Sequence, residues 1–412
     1  EETFVWVVTK TSVRWLRSEL GTPALTRDVA ALRCGLDATV WYDAQASECL
    51  KLLGLGADKV PAPGAPLPFD ETRAHRLFTS LLGGAADLIR GKTLLLVPSG
   101  PLTQLPFQVL IGEAPQGGDH KSIRWLARDH ALSVLPAVSS LKALRRVTKP
   151  SAARNPMIGF GNPLLDGDQG HPQYGAYFKE QAALARRLKG CGETAQQRTA
   201  AVRGMARSVS PPDRRSGLAD IAELRQQAPL PETVDELCAV AEVLRSGTGA
   251  IRIGASATER EVKALSASGR LADYRILHFA THGALAGQLS SAREPGLILT
   301  PPDAPTGEDD GYLSASEIGG LKLDADWVIL SACNTAAGSS AGEGAQALSG
   351  LARAFFYAQA RALLVSHWEV NSLATVRLIT AAARAITGGE AIGRSEALRR
   401  AMLEMIDSGE PA

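Results

Sequence analysis

Two runs in the last third of the chain each end an apolar, β-prone stretch on a side chain able to do chemistry. RILHFATHG (275–283) carries His278 and His282 ahead of Gly283, and DWVILSACNT (326–335) carries Cys333. In an open α/β sheet the carboxyl ends of strands form the ligand crevice. A histidine and a cysteine delivered to that edge can meet as general base and thiol nucleophile. The Cys333 thiolate would attack a scissile carbonyl, and His282 would take the thiol proton and protonate the leaving amine. The backbone N–H groups of Gly283 and Cys333 would hold the oxyanion. This is the chemistry of peptide-bond hydrolysis, and it needs no metal and no organic cofactor.

Blander readings compete at each position. A free cysteine is most often a small buried hydrophobe. Around Cys333, however, Ser331, Ala332, Asn334 and Thr335 are small or polar, and GSSAGEG follows at 338–344. Strand alternation puts His278 on a sheet face as a packed, hydrogen-bonded side chain, whereas His282 falls just beyond the strand. His282 is therefore the expected base. HxxxH as a zinc pair requires a helix and a third ligand, and the run YRILHF is β-prone with no such ligand following. Gly338, Ser340 and Gly342 match a nucleophile elbow, but Ser340 lies too far past the strand end. Gly342, Gly344 and Ala347 match a dinucleotide fingerprint with the same defect.

The elements that must position these residues alternate. Strands are expected at 4–9, 93–97, 131–135, from Met157, and at 275–280, 326–332 and 361–366. Helices are expected at 22–34, 43–53, 71–90, 138–147, from about Val234 with Thr233 as N-cap, and at 345–358, 371–387 and 390–407. A capping box at Ser256–Glu259 is read as opening a further helix that runs to about Ser268. Strand alternating with helix implies a mostly parallel α/β sheet with helices on both faces. Residues 163–232 are rich in Gly, Pro, Gln and Arg and read as a surface insertion, partly disordered. The expected organisation is an amino-terminal α/β half at 1–162, the insertion or linker at 163–232, and a catalytic half at 233–412.

The chain has 412 residues, 45% of them hydrophobic, which is enough for two domains or one large one. Its 44 Lys and Arg against 43 Asp and Glu give a net charge of +1. That leaves no electrostatic footprint for nucleic acid or an anionic membrane. No apolar run approaches membrane-spanning length. EETFVWVVTK is not a signal peptide, and a start without Met reads as a fragment or processed chain. The five cysteines, Cys34, Cys49, Cys191, Cys238 and Cys333, are scattered and odd in number. They suggest no disulfide framework, and a reducing cytoplasm fits that pattern.

HFATHG, LSACNT and GEGAQALSGLARAFFYAQARALLVSHWEV (342–370) resemble the CHAT peptidases, caspase- and separase-like cysteine proteases of clan CD. The separation of His282 and Cys333 is similar to the roughly 50-residue interval of caspases. The resemblance is strong over about 230–408. It is weaker over 1–162, where LLLVPSGPLTQLPFQVL resembles the amino-terminal part of CHAT domains, a pseudo-caspase-like half. It implies His282 and Cys333 as the dyad, Gly283 as the oxyanion-loop glycine, and Ser366, Trp368 and Glu369 bordering the substrate cleft. Relatives are often fused to helical-repeat or other sensor modules. Some cut partner proteins in bacterial antiviral defence and programmed cell death, including gasdermin-like pore formers.

Specificity has two readings. Glu369 with Glu308, Asp309 and Asp310 would attract a basic P1 side chain, but charge runs usually face water. Trp368 would instead wall an apolar pocket. Arg–Arg and Arg–Gly pairs within 187–216 offer self-cleavage points to an enzyme that prefers basic residues. Two other functional classes remain open to the sequence: a catalytically silent scaffold binding partners through the insertion, and an acyl-thioester hydrolase using the same cysteine.

Overall fold

A computed structural model of the chain describes residues 2–41, 45–62, 64–117, 119–147, 150–192, 218–290, 292–331, 344–366, 372–388 and 390–409. The chain divides into two compact units, Glu1–Lys142 with Arg377–Ala412, and Ala143–Val376. The sequence places a boundary after residue 162. In the structure the strand that contains Met157 hydrogen-bonds inside the second unit, and the last helix belongs with the first.

The first unit opens with an antiparallel hairpin, β1 (Thr3–Val8) and β2 (Val13–Ser18), in register Trp6 to Trp15. Val5 and Val7 pack inward, leaving Trp6 and Trp15 exposed on the other face. Helices α1 (Thr22–Cys34), α2 (Ala46–Leu53) and α3 (Glu71–Leu81) follow. Next come a single turn α4 (Ala86–Ile89), strand β3 (Leu94–Leu96), turn α5 (Leu126–Asp129) and strand β4 (Leu132–Val134). β3 and β4 pair in parallel. The core gathers Leu25, Val29, Leu32, Leu77, Leu81 and Leu110. Asp28 is buried between Arg73 and Arg76, at 3.0 and 2.9 Å, so its charge is paired as burial demands.

The chain crosses between units within α6 (Val138–Val147) and α13 (Ser372–Thr387), and α14 (Arg394–Ser408) completes the first unit. In the second unit β5 (Asn155–Gly161) is followed by α7 (Gly175–Arg187), α8 (Ile221–Arg225) and α9 (Thr233–Val243). Then come β6 (Ile251–Ile253), α10 (Glu259–Ala267) and β7 (Tyr274–Ala280). Three short strands, β8 (His282–Ala284), β9 (Gly296–Ile298) and β10 (Tyr312–Ser314), form a small antiparallel sheet. The turn α11 (Ala315–Gly319), β11 (Trp327–Leu330), α12 (Gly344–Tyr357) and β12 (Leu363–Val365) follow.

Five strands form one parallel sheet in the order β12-β11-β7-β5-β6. Numbered in chain order within the sheet and read from β6, this is the doubly wound order 2-1-3-4-5, whose direction reverses between β5 and β7. One face packs Ile158, Phe160, Leu277 and Phe279 against α10 and α12, with Phe279 5.2 Å from Phe160 and 5.9 Å from Phe355 between ring centroids. The other face receives α9. Alternate positions of β5 are Gly159 and Gly161, where a Cβ would stand 2.7 and 2.8 Å from the methyls of Leu237. Glycine at both lets α9 lie directly on the strand.

Several elements differ from the sequence reading. Residues 163–192 and 218–232, expected as part of a surface insertion, partly disordered, are packed in places: Leu165, Leu188, Leu224 and Leu230 are buried, and α7 lies within the first stretch. Residues 193–217 lie outside the described residues. α10 is capped by Thr258, whose hydroxyl accepts from Glu261 N, rather than by a box starting at Ser256. Ser256 instead bonds the Ile253 backbone. Thr233 does not cap α9 with its side chain.

The cysteines also correct the sequence reading. Cys34 is bonded to Cys49 and Cys191 to Cys238, at Cα separations of 5.7 and 5.6 Å. α1 and α2 bring the first pair together around the buried Trp41, a juxtaposition that spacing along the chain does not reveal. Disulfides persist in oxidising compartments, so the cysteines no longer argue for a reducing cytoplasm. Among the described residues no helix is long and apolar enough to cross a membrane.

Candidate active site

The carboxyl ends of β5, β7 and β11 lie side by side at the point where strand order reverses. β5 is followed by Asn162, fully buried in the left-handed conformation at φ 48°. Its amide donates to Thr233 Oγ1 at 2.8 Å and its side-chain nitrogen donates to the Ala185 carbonyl at 2.9 Å. β7 ends at Ala280. Thr281 bonds the Ile298 carbonyl, and the chain turns directly into β8.

His282 is the first residue of β8, opposite Ile298, and Gly283 lies opposite Leu297. Both are buried. His282 Nε2 lies 2.8 Å from the Ala228 carbonyl oxygen. A carbonyl only accepts, so Nε2 carries the proton and donates it. In a neutral imidazole that leaves Nδ1 as the basic nitrogen. The sequence names no group to orient this ring, because the partner is a backbone atom in a stretch of unremarkable composition.

His278 is wholly buried and hydrogen-bonded, as strand alternation predicts. Its Nε2 is 2.8 Å from Glu236 Oε1 on α9 and 3.0 Å from Ser331 Oγ. Ser331 extends β11, its amide donating to the Phe279 carbonyl at 2.9 Å. Neither partner was singled out from sequence, though a signal existed for Glu236. Thr233, Glu236, Leu237, Val240 and Ala241 make one helical stripe, and all are buried. A carboxylate on an apolar stripe needs a partner.

Cys333, Trp368 and Glu369 lie outside the described residues, as do Ser340 and Gly342. Ser366 is half-buried immediately after β12. Of the acidic run, Glu308 is exposed, Asp309 is buried and Asp310 is half-buried. Arg260 Nε donates to Asp309 Oδ2 at 3.2 Å, and the Ala219 and Tyr312 amides donate to Asp310 at 2.7 and 3.0 Å. The amides of Asp310 and Gly311 donate in turn to Glu259 Oε2, at 2.8 and 2.9 Å. Burial pushes the Glu259 carboxyl up to about 7, against the pull of Lys263 and the Asp310 amide. The run is therefore tied into the fold through Asp309 and Asp310, leaving Glu308 as its outward charge. Among the described residues no group of three or more His, Cys, Asp or Glu side chains is placed to hold a metal ion.

The CHAT-domain family model matches residues 71–412. The chain belongs to the CHAT-domain family. The family is associated with caspase-like cysteine peptidases, and the five-stranded parallel sheet flanked by helices agrees with that fold. No curated protein matches the chain. The CHAT match begins at α3 and takes in all of the second unit.

Proposed function

We propose that this CHAT-domain protein is a regulated cysteine endopeptidase with Cys333 as nucleophile and His282 as general base. The observation that carries the reading is the His282–Ala228 hydrogen bond at the switch point of the sheet. It fixes the ring and the tautomer a thiol partner needs. His282 Nδ1 takes the Cys333 proton, and the thiolate forms a bond to the scissile carbonyl carbon. The amides of Gly283 and Cys333 hold the oxyanion. Collapse expels the amine, which leaves with the proton from His282. Water, deprotonated by His282, then hydrolyses the thioester and restores the thiol.

The substrate is a partner protein. A gasdermin-like pore former cut in bacterial antiviral defence or programmed cell death is the substrate class that the family resemblance supports. An upstream sensor or helical-repeat module would control the cut. Glu369 and the outward Glu308 favour a basic P1 residue, with Trp368 and Ser366 beside the cleft and Asp309 and Asp310 holding the acidic loop in place.

The test is cleavage of a diverse peptide library by the protein, Cys333→Ala and His282→Ala. Loss of the same cuts in both variants is the expected result. Cuts that persist in either variant would overturn the dyad. Turnover of acyl thioesters with no cut peptide would identify a thioester hydrolase instead.

A further inference from the structure

The residues that fix His282 are not confined to its own strand. Between residues 228 and 236 the chain reaches the ends of three neighbouring strands. The Ala228 carbonyl accepts from His282, Thr233 Oγ1 accepts from the amide that follows β5, and Glu236 meets His278 on β7. His278 in turn meets Ser331, the residue beyond β11. In the chain, Ser331 stands two residues before Cys333 and His278 four before His282.

A serine, a histidine and a carboxylate in contact suggest a second hydrolytic triad, and the geometry excludes it. Both Glu236 and Ser331 approach the same nitrogen, Nε2, whereas a relay needs one on each nitrogen. Nor is the cluster a cheap way to join helix and sheet. Burying a carboxylate costs several kcal/mol unless its partner is well placed, and apolar packing of equal volume is often as stable. What such a cluster adds is a fixed relative position of the groups it joins.

We propose that Glu236, His278 and Ser331 form a positioning brace that locks β7, the strand leading to the base, against β11, the strand leading to the nucleophile. The proposal rests on the His282–Cys333 reading above. The Nε2–H of His278 is shared between Glu236 Oε1 and Ser331 Oγ, so α9, β7 and β11 are held by one proton donor at the carboxyl edge of the sheet. Without it the ladder still pairs the strands as far as the Ser331 amide and the Phe279 carbonyl, but the side-chain cross-tie to α9 is lost. A displacement on the order of 1 Å at such a site lowers turnover by about 100-fold.

The test uses His278→Leu, His278→Gln and Ser331→Ala in the full chain. Glutamine keeps a donor amide for both partners, and leucine removes it. Three quantities are read: kcat and KM for peptide cleavage, and the pH midpoint of Cys333 alkylation by iodoacetamide in unreduced protein, where the other four cysteines are in disulfides. His278→Leu is expected to lower kcat roughly 10- to 100-fold with KM within about twofold. Its alkylation midpoint should rise towards about 8.5, the value of a free thiol. His278→Gln should recover most of both. Ser331→Ala, which removes one arm and little volume, gives the same reading should the leucine variant fail to fold. Unchanged kcat and midpoint in the leucine or alanine variants would overturn the brace. Equal loss in the glutamine variant would overturn it in favour of a role for the imidazole itself. The alkylation midpoints report on the brace whether or not the protein cuts peptide without its upstream sensor, so the brace and the peptidase reading fail separately.

Discussion

Gly159→Ala is expected to lift α9 from the sheet. The new methyl would stand 2.7 Å from Leu237 Cδ2, 3.3 Å from Met157 Cε and 3.5 Å from Leu237 Cδ1. Favourable carbon–carbon contact begins at about 3.5 Å, so the overlap with Leu237 is close to an ångström. Overpacking of this kind costs about 1–3 kcal/mol, while alanine in a strand regains roughly 0.5–1 kcal/mol over glycine. The net loss should be about 1–2 kcal/mol. Leu237→Ala alone opens a cavity at a fully buried site and should cost about 2–5 kcal/mol. Together the two changes partly cancel, because the added methyl enters the space the leucine leaves. The double variant should be less destabilised than the sum by about 1–2 kcal/mol. Gly161→Ala is the control. Its methyl would meet not only Leu237 Cδ1 at 2.8 Å but the Ala280 carbonyl oxygen at 3.0 Å, and backbone cannot be trimmed. Coupling to Leu237→Ala should there be much weaker. The assay is native-state hydrogen exchange of the α9 amides, which reads local opening in a chain of two compact units that need not unfold in one step. Additive losses at Gly159, or equal coupling at both glycines, would refute the close-approach argument.

Cys34→Ser removes a disulfide closing a 15-residue loop and should cost about 3 kcal/mol, or roughly 5–10 °C in the melting of the first unit. An unchanged melting temperature would mean the pair is not bonded in solution. Any single cut between residues 192 and 237 should leave two pieces that run as one band without reductant and as two with it, because Cys191–Cys238 spans the cut. Two bands without reductant would exclude that disulfide. Glu259 binds its proton more tightly folded, at about 7, than unfolded, near 4.5, so its contribution to stability is full below pH 4.5 and is lost as pH rises through 7. The stability difference between the protein and Glu259→Gln should therefore shrink by about 2–3 kcal/mol over that window. A difference that grows with pH would show that Lys263 and the two amides outweigh burial.

The parallel sheet was legible because its strands are short apolar runs between amphipathic helices. RILHFA and WVIL could pack only with both faces covered, and they do. MIGFGN announced a strand, but its glycines became meaningful only once Leu237 was seen lying on them. The small antiparallel sheet was not legible: β8, β9 and β10 have three residues each, too few to show a period. The packed parts of 163–232 were missed for a related reason. Composition averaged over 70 residues hid Leu224 and Leu230, single apolar residues whose burial depends on contacts distant in sequence. His282 was picked out by its neighbours, while the carbonyl that orients it has no side-chain signature at all.

Glu236 marks where patterns of hydrophobicity stop being informative. By helical periodicity it belongs to the buried stripe of α9, and by side-chain type it belongs outside. Stability alone would resolve that conflict with a leucine, and then His278 would have lost its reason to be polar as well. The two residues explain each other only as a pair, and the pair matters only at that level of the sheet, four residues before His282 and beside Ser331. In the proposed mechanism the base and the nucleophile stand 51 positions apart in the chain. Their relative position would come from bonds across the sheet, where the side chains of Glu236, His278 and Ser331 add to the ladder bond from the Ser331 amide to the Phe279 carbonyl. Polar residues buried at that edge are thus best understood as geometry held at an energetic cost, and the brace experiment measures what that geometry is worth.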